Sequence, residues 1–211
     1  EDDCSNNEHS PTRLILFEQI FWQKNKWCNI MKKKVSLVVP VFNEEDNLHE
    51  FHKHVTGVMQ QEAYDYNIIF VDDGSRDTSA LILAELAAQD EHVEAYLLSR
   101  NYGHQMALTC GLDHADGDAV ITMDGDLQHP PELIPELLRL WEAGNEIVQT
   151  KRMATEDAGF FKNLTSAAYY KIINTLSKVE ITPGGSDFRL MDRIAVDAFK
   201  LYRERSLFIR G

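Results

Sequence analysis

Two acidic residues separated by a single position form the clearest chemical signal in the sequence. Asp124 and Asp126 directly follow the apolar run Ala119–Met123, and Gln128 adds an amide oxygen two positions later. Oxygen ligands of this kind suit Mg²⁺ or Mn²⁺, which also keep substrate phosphates in their coordination shell. The alternative is a solvated Asp-Gly turn whose aspartates cap a helix. The placement of the acidic pair directly after a strand-like run favours the metal site.

Polar residues also follow the other apolar runs of the chain. In chain order, these residues are Asn43, Glu44, Asp72, Asp73 and Asn101. Each turn taken alone is typical of a helix start, where Asp and Asn side chains accept hydrogen bonds from backbone N–H groups. Taken together, the turns predict a pocket of hydrogen-bond acceptors that suits the donors of a base and a ribose, beside a metal that holds a diphosphate.

The elements that must position these residues alternate regularly along the chain. Five β-branched runs predict strands at residues 35–39, 67–71, 93–98, 119–123 and 146–150. Helical periodicity predicts helices at about 44–60, 77–90, 104–116, 131–143 and 159–177, and a short strand at 188–191 precedes a basic helix at about 192–204. This alternation predicts an α/β fold with a mainly parallel sheet flanked by helices. Ligands bind outside the carboxyl ends of such strands, so the polar turns are expected to converge at one edge.

The charge of the chain is strongly negative and unevenly distributed. The 211 residues include 34 acidic and 21 basic side chains, which gives a net charge of −13. Residues 31–150 hold seven basic and twenty-two acidic side chains, whereas residues 151–211 hold eleven and seven. Nucleic acid is excluded as the main partner, because phosphate-backbone binding requires a basic face. The basic end of the chain suits phosphates and an anionic membrane surface.

The first thirty residues are expected to lie outside the domain. Met31 stands before three lysines and the first strand-like run, which predicts that residues 1–30 are an extension or leader and that residues 31–211 form one domain. The three cysteines have no CxxC spacing, which indicates a reducing compartment such as the cytoplasm. No stretch approaches the ~20 apolar residues of a membrane-spanning helix.

Other kinds of site lack their motifs in this sequence. The turn after the first strand, PVFNEE, has no GxGxxG pattern, and the chain has no GxxxxGK[ST], so dinucleotide and P-loop sites lose their support. The segment GGSDF lacks the final glycine of a GxSxG elbow. A phospho-accepting receiver domain, which is a signalling module, would explain Asp72 and Asp73 after a strand. That domain would leave the segments DGDLQ and SDFRL without a role.

Five segments, in this order and spacing, resemble a known family of enzymes. The segments are PVFNEEDNL, VDDGSRD, SRNYGHQMALTCGLDHADGD, MDGDLQHPPELIPEL and SDFRLMDR. They resemble family 2 glycosyltransferases of the polyprenyl-phosphate branch, the dolichol-phosphate mannosyltransferase and bactoprenol glucosyltransferase group. The resemblance covers about residues 34–211. It implies a GT-A nucleotide-diphospho-sugar transferase fold, and an inverting, metal-assisted transfer of a sugar from a UDP- or GDP-linked donor to a polyprenyl phosphate.

The resemblance also implies roles for individual residues. The nucleotide pocket would be lined by Pro40, Val41, Asn43, Glu44, Asp72, Asp73, Asn101, Asp124 and Gly125. The cation would be ligated by Asp124, Asp126 and Gln128. Arg152 and Arg189 would meet the diphosphate or the acceptor phosphate, and Asp187 would be the acidic residue nearest the reacting carbon.

The role of Asp187 depends on the acceptor. A phosphate monoester has a second pKa near ~6 and is largely ionised at neutral pH, so a phosphate acceptor needs little deprotonation. Asp187 would then orient an arginine or stabilise oxocarbenium character. A hydroxyl of a polysaccharide or glycolipid is the alternative acceptor, and it would require Asp187 as a true base.

The end of the chain carries a further expectation. Members of this family continue beyond the position of residue 211 with a basic segment, an amphipathic helix and often transmembrane helices. The resemblance therefore implies a domain truncated at its C-terminal end, in a full-length protein located at the cytoplasmic face of the membrane. The membrane surface is an expected partner, and a homo-oligomer is compatible with the sequence.

Overall fold

The computed structural model describes residues 32–151 and 185–201, which contain six strands and five α-helices. The strands are β1 (Lys34–Val41), β2 (Asp65–Asp72), β3 (Val93–Leu97), β4 (Ala119–Thr122), β5 (Ile147–Lys151) and β6 (Gly185–Asp192). The helices are α1 (Leu48–Met59), α2 (Ser79–Gln89), α3 (His104–His114), α4 (Ile134–Glu142) and α5 (Arg193–Leu201). A 3-10 turn, Pro131–Leu133, precedes α4. Within these ranges no helix combines the length and the apolar character that crossing a membrane requires.

The six strands form a single mixed sheet with the order β3-β2-β1-β4-β6-β5. The first four strands pair in parallel, and β6 runs antiparallel to both of its neighbours. The predicted strands and the mainly parallel sheet are confirmed. The sequence pattern did not predict that β6, the last of the described strands, is inserted between β4 and β5. The predicted helix at 159–177 and the predicted leader at 1–30 lie outside the described residues.

Helices cover both faces of the sheet, because the strand side chains alternate between two apolar clusters. Val35, Leu37 and Val39 of β1 pack on the face covered by α1, α2 and α4. Val38 packs on the opposite face, which is covered by α3 and α5. Burial on both faces is typical of a parallel sheet, and each fully buried aliphatic side chain contributes about 1.5–3 kcal/mol to stability.

Helix α1 begins later than the sequence pattern predicts. Its buried side chains, Leu48, Phe51, Val55 and Met59, recur at helical spacing and form one apolar stripe. The residues before it form a turn instead, in which the Asn47 N–H donates to the Glu44 carbonyl (2.9 Å). The predicted start at about residue 44 was therefore wrong, because this segment connects β1 to the helix at the carboxyl edge of the sheet.

A small residue lets α3 approach the sheet closely. A Cβ atom at Gly111 would overlap the Val38 side chain and would lie 3.3 Å from Cγ2 of Val71. Helix α3 carries His104 at its first turn, so the depth at which the helix packs helps to set the position of that imidazole.

Asp90 joins the end of α2 to α1 through His52 and to the residue before β3 through His92. Its carboxylate lies 2.8 Å from His52 Nε2 and 2.9 Å from His92 Nδ1, and it accepts the His92 N–H at 2.9 Å. Burial alone would raise the pKa of Asp90, but these hydrogen bonds outweigh it and lower the pKa below the ordinary value of 3.8.

We expect Gly111→Ala to destabilise the fold by about 1–3 kcal/mol, because the added methyl group overpacks the contact between α3 and β1. Chemical denaturation measures the change. Gly57→Ala is the matched control, since Gly57 lies on the exposed side of α1 with open space around it. That substitution is expected to stabilise the helix by roughly 0.5–1 kcal/mol. Equal effects of the two substitutions would contradict the close packing of α3.

We expect Asp90→Asn to lower the free energy of unfolding at pH 7 by about 1–3 kcal/mol, because a charged acceptor is lost. The folded pKa lies below the unfolded value, so this contribution is fully present above about pH 4 and disappears as the pH falls through the folded pKa. Denaturation curves at several pH values should therefore converge for the two proteins in acid. The exposed neighbour Glu91→Gln serves as the control, and a gap that stayed constant as the pH was lowered into the acid range would argue against the network.

Candidate active site

A cavity of about 340 Å³ opens where the parallel strands end. Nine of the residues predicted from sequence line it: Pro40, Val41, Glu44, Asp73, Asn101, Asp124, Gly125, Asp126 and Asp187. Phe42, Gly103, His104 and Ala107 complete the lining. The predicted convergence of the polar turns at one edge of the sheet is confirmed.

Asn43 connects two of the turns rather than lining the cavity. Its backbone adopts a left-handed conformation with φ of 55°, which asparagine tolerates better than most residues. The Asn43 N–H donates to Ser75 Oγ (2.9 Å), and the Arg76 N–H donates to Asn43 Oδ1 (2.8 Å). The turn after β1 is thereby fastened to the turn after β2.

The two buried aspartates at the end of β2, Asp72 and Asp73, have different tasks. The Asp72 carboxylate accepts the Ser75 N–H (3.1 Å) and so closes its own turn. The Asp73 carboxylate accepts the N–H groups of Tyr102 (2.7 Å) and Gly103 (2.8 Å). Asp73 also lines the cavity, whereas Asp72 does not. Asp73 therefore holds the loop after β3 at the cavity wall.

The loop that Asp73 holds presents an exposed aromatic side chain. The Arg100 guanidinium lies 4.5 Å from the centre of the Tyr102 ring, a cation–π arrangement. A hydrogen bond with Ser99, together with the hydrogen bond and charge of Arg100, lowers the pKa of the Tyr102 hydroxyl. Asn101 lies between these two side chains in sequence and lines the cavity itself.

Asp124 lies between two imidazoles. Its Oδ1 is 2.9 Å from His104 Nε2, at the first turn of α3. On the other side, the Asp124 N–H donates to Nδ1 of the buried His129 (3.3 Å), whose ring packs against Phe188. The bond uses the Nδ1 lone pair of His129, and the same nitrogen lies 3.8 Å from Asp124 Oδ2. The sequence reasoning assigned no role to either histidine.

Three potential metal ligands come together in the cavity. Among the described residues, ligand atoms of His104, Asp124 and Asp187 all lie within 4.8 Å of one another. Asp126 lines the same cavity, but its Oδ1 accepts the Gln128 N–H (3.0 Å) and it is outside this group. The Gln128 side chain is exposed and is not part of the lining. Two carboxylates and an imidazole fit a divalent cation in charge and in ligand type.

The backbone is strained beside the acidic pair. Leu127 has φ of 58°, a conformation that costs an ordinary residue roughly 1–2 kcal/mol. Its side chain packs against the larger apolar cluster, which offsets that cost. Strain of this kind persists only where the surroundings determine the conformation, and it is concentrated at functional sites.

Asp187 and Arg189 project from β6, and both are buried. The Asp187 carbonyl accepts the Thr122 hydroxyl (2.6 Å), which ties this end of β6 to β4. The Arg189 Nη2 lies 3.7 Å from Asp187 Oδ1. Asp187 lines the cavity and Arg189 does not. Arg152, the other predicted arginine, lies outside the described residues.

The family is decided by a comparison with protein-family models, in which residues 36–204 match the model described as "Glycosyl transferase family 2". The chain belongs to glycosyl transferase family 2. The matched segment includes every residue that lines the cavity, so the site described above is the candidate active site of a glycosyltransferase domain. The receiver-domain alternative loses its support.

Two curated relatives indicate the branch of the family. The chain is 44% identical over 178 residues to the bactoprenol glucosyl transferase of Shigella phage SfV, covering 84% of this chain and 58% of that protein. It is 42% identical over 176 residues to the undecaprenyl-phosphate 4-deoxy-4-formamido-L-arabinose transferase of Pseudomonas fluorescens, covering 83% and 51%. The chain thus spans little more than half the length of these relatives.

Solved structures share the fold of this glycosyltransferase domain. A mannosyltransferase from Pyrobaculum calidifontis, in complex with GDP-Man and Mn²⁺, has a TM-score of 0.54 and 16% identity, covering 86% of this chain and 53% of that one. The glucosyl-3-phosphoglycerate synthase of Mycobacterium tuberculosis, in complex with Mn²⁺, UDP and phosphoglyceric acid, has a TM-score of 0.53 and 20% identity, covering 77% and 56%. The predicted GT-A fold is confirmed.

We expect Asp73→Asn to loosen the loop after β3, because an amide oxygen can replace only one of the two carboxylate acceptors. One backbone N–H then faces an NH₂ group, at a cost of about 1–3 kcal/mol. Hydrogen–deuterium exchange should increase in residues 99–106. Asp72→Asn is the matched control, because Asp72 bonds within its own turn and should leave that segment protected. Equal exchange in both variants would contradict the role given to Asp73.

Proposed function

We propose that this domain transfers a sugar from a nucleotide-diphospho-sugar to a polyprenyl phosphate, with inversion at the sugar carbon and with the help of Mg²⁺ or Mn²⁺. The observation that carries the proposal is the convergence of the acidic pair Asp124 and Asp126 with Asp73, Asn101 and Asp187 around one cavity. The names of the two relatives support this acceptor. One is a bactoprenol glucosyl transferase, and the other is an undecaprenyl-phosphate 4-deoxy-4-formamido-L-arabinose transferase.

The nucleoside of the donor is proposed to occupy the part of the cavity nearest β1 and β2. Glu44, Asp73 and Asn101 offer acceptors and an amide to the polar edges of a base and a ribose, and Phe42 adds an exposed aromatic surface. A cavity of about 340 Å³ is at the small end of the range for ligand sites, about 300–1,000 Å³. UDP- and GDP-linked donors both remain candidates.

The diphosphate of the donor is proposed to lie at the acidic loop after β4. Asp124 and Asp126 would hold the cation, with Gln128 contributing if its exposed side chain turns inward. The cation supplies positive charge that stabilises the departing nucleoside diphosphate. In this proposal the side chains of the loop bind the cation and orient the diphosphate. The imidazoles that hold Asp124 from both sides support this role.

The acceptor phosphate is proposed to attack the sugar carbon from the face opposite the leaving group. One phosphate oxygen forms the new bond to that carbon while the bond to the diphosphate oxygen breaks, and the electron pair leaves with the nucleoside diphosphate. A largely ionised phosphate needs no strong base. The 3.7 Å separation of Asp187 and Arg189 supports the view that Asp187 orients this arginine toward a phosphate. Arg152 is proposed as a second phosphate ligand.

The membrane surface is proposed as the place where the acceptor is met. A polyprenyl phosphate keeps its chain in the bilayer, so the domain must work close to the headgroups. The excess of basic residues in 151–211 supports attraction to anionic lipids on the cytoplasmic face.

The proposal is tested first by nucleotide binding. We expect calorimetry with Mn²⁺ to detect binding of UDP or GDP to this chain, and Asp126→Ala to weaken that binding by about 10–100-fold. Asp113→Ala, the loss of an exposed carboxylate on α3, is the control and should leave binding unchanged. If neither nucleotide bound the folded wild-type chain, the transferase proposal would be wrong.

Transfer itself is then measured with the protein, short polyprenyl phosphates and a panel of UDP- and GDP-sugars. The expected product is a polyprenyl-phosphate sugar of inverted configuration. A product formed only on polysaccharide or glycolipid hydroxyls would replace the proposed acceptor with the alternative one. In that case Asp187→Asn should abolish transfer, because the hydroxyl would require a base.

A further inference from the structure

We propose that His104 is a direct ligand of the divalent cation, together with Asp124 and Asp187, and that its nitrogen makes the site prefer Mn²⁺ to Mg²⁺. The inference rests on the proposed function, because it concerns the cation of the same site. It adds two ligands from outside the acidic loop, His104 and Asp187, and it chooses between two metals that the carboxylates alone do not distinguish.

One distance in this cluster is that of neighbouring ligands in a coordination shell, and the others are bounded by a value slightly above the span of such a shell. Metal–ligand distances of about 2.1 Å separate neighbouring octahedral ligand atoms by about 3.0 Å and opposite ones by about 4.2 Å. His104 Nε2 and Asp124 Oδ1 are 2.9 Å apart, and the whole group lies within 4.8 Å. The His104 side chain is 40% exposed, so its ring has room to adjust. A cation can therefore be inserted among these atoms with small side-chain rotations.

Each of the three ligands is held by its own part of the fold. His104 follows Gly103, whose N–H is bound by Asp73. Asp124 is fixed through its N–H by His129, and the start of β6 is fixed to β4 through the Asp187 carbonyl. Ligands that are positioned before the metal arrives lose little conformational entropy on binding, which raises the affinity of the site.

The chemistry of imidazole then distinguishes the metals. Mg²⁺ prefers oxygen ligands and water, whereas Mn²⁺ accepts an imidazole nitrogen more readily. To bind a cation, His104 must present the Nε2 lone pair, which is the tautomer that carries its hydrogen on Nδ1.

The alternative is that His104 only donates a hydrogen bond to Asp124 and so orients that carboxylate. A hydrogen bond of this kind would affect metal affinity without placing nitrogen on the metal. The two roles differ in one observable, which is whether the nitrogen nucleus couples to the unpaired electrons of bound Mn²⁺.

Pulsed electron paramagnetic resonance of the chain with Mn²⁺, with and without UDP or GDP, makes this distinction. The expected result is a ¹⁴N modulation typical of a coordinated imidazole, which disappears in His104→Ala and in His104→Gln. The second variant keeps a side-chain hydrogen-bond donor, and circular dichroism confirms that both remain folded. His54→Ala, which removes an exposed imidazole from α1, is the control and should retain the signal.

Calorimetry with each metal provides a second readout. The ratio of Mn²⁺ to Mg²⁺ affinity is expected to fall about tenfold or more in His104→Gln. Absence of Mn²⁺ binding, absence of the ¹⁴N signal in the wild type, or its survival in His104→Ala would overturn the proposal. Nucleotide binding with Mn²⁺ but without ¹⁴N coupling would remove this inference and leave the proposed function intact. A ¹⁴N signal in a chain that bound neither nucleotide would support the His104 ligand and contradict the proposed function.

Discussion

The parallel pairing of β1 with β2 and β4 is the constraint on which the site depends. Strand β1 lies at the centre of the sheet, is buried on both faces, and is matched along its full length by β2, with Val41 opposite Asp72. Val38 lies opposite Thr122 of β4. A slip of one residue in either pairing would move a whole row of apolar side chains to the wrong face. The core therefore fixes the register, and the register brings the turns that follow Val41, Asp72 and Thr122 to one edge.

Carboxylates at this edge hold the loops in place and also line the cavity. Asp73 and Asp126 line the cavity and also accept backbone N–H groups, so these acids hold its walls, while Asp72 closes the turn beside them. These bonds stabilise the negative charges locally, but they do not remove the repulsion among acids that share a small volume. A bound cation would remove it. The net charge of −13 is thus compatible with anionic ligands, because a local cation and a few arginines outweigh the overall sign.

The local sequence pattern predicted the parts of the structure that depend on local physics. The β-branched runs identified β1 to β5, and a short strand-like segment at 188–191 identified β6. The rule that ligands bind after parallel strands identified most of the cavity lining. The start of α1 was misplaced because Glu44 suits both a turn and a first helical turn, and only tertiary contacts decide between them. His104 was missed because its partner Asp124 is twenty positions away, and no spacing rule connects a histidine after β3 to an acid after β4. The roles of Gln128 and Arg152 stay predictions.

The antiparallel direction of β6 explains why Asp187 does not obey the rule that site residues follow the carboxyl ends of the strands. Asp187 lies near the beginning of β6, not after its end. Because β6 is antiparallel to β4, with Arg189 opposite Thr122, its beginning lies at the edge where the parallel strands finish. Strand β6 therefore adds the Asp187 carboxylate to the site although it runs in the opposite direction to β4. A parallel strand in this position would have brought residues that follow Asp192 to the cavity instead, and its helix α5 would begin there. The antiparallel insertion is therefore what allows Asp187 and the acidic loop to face the same ligand.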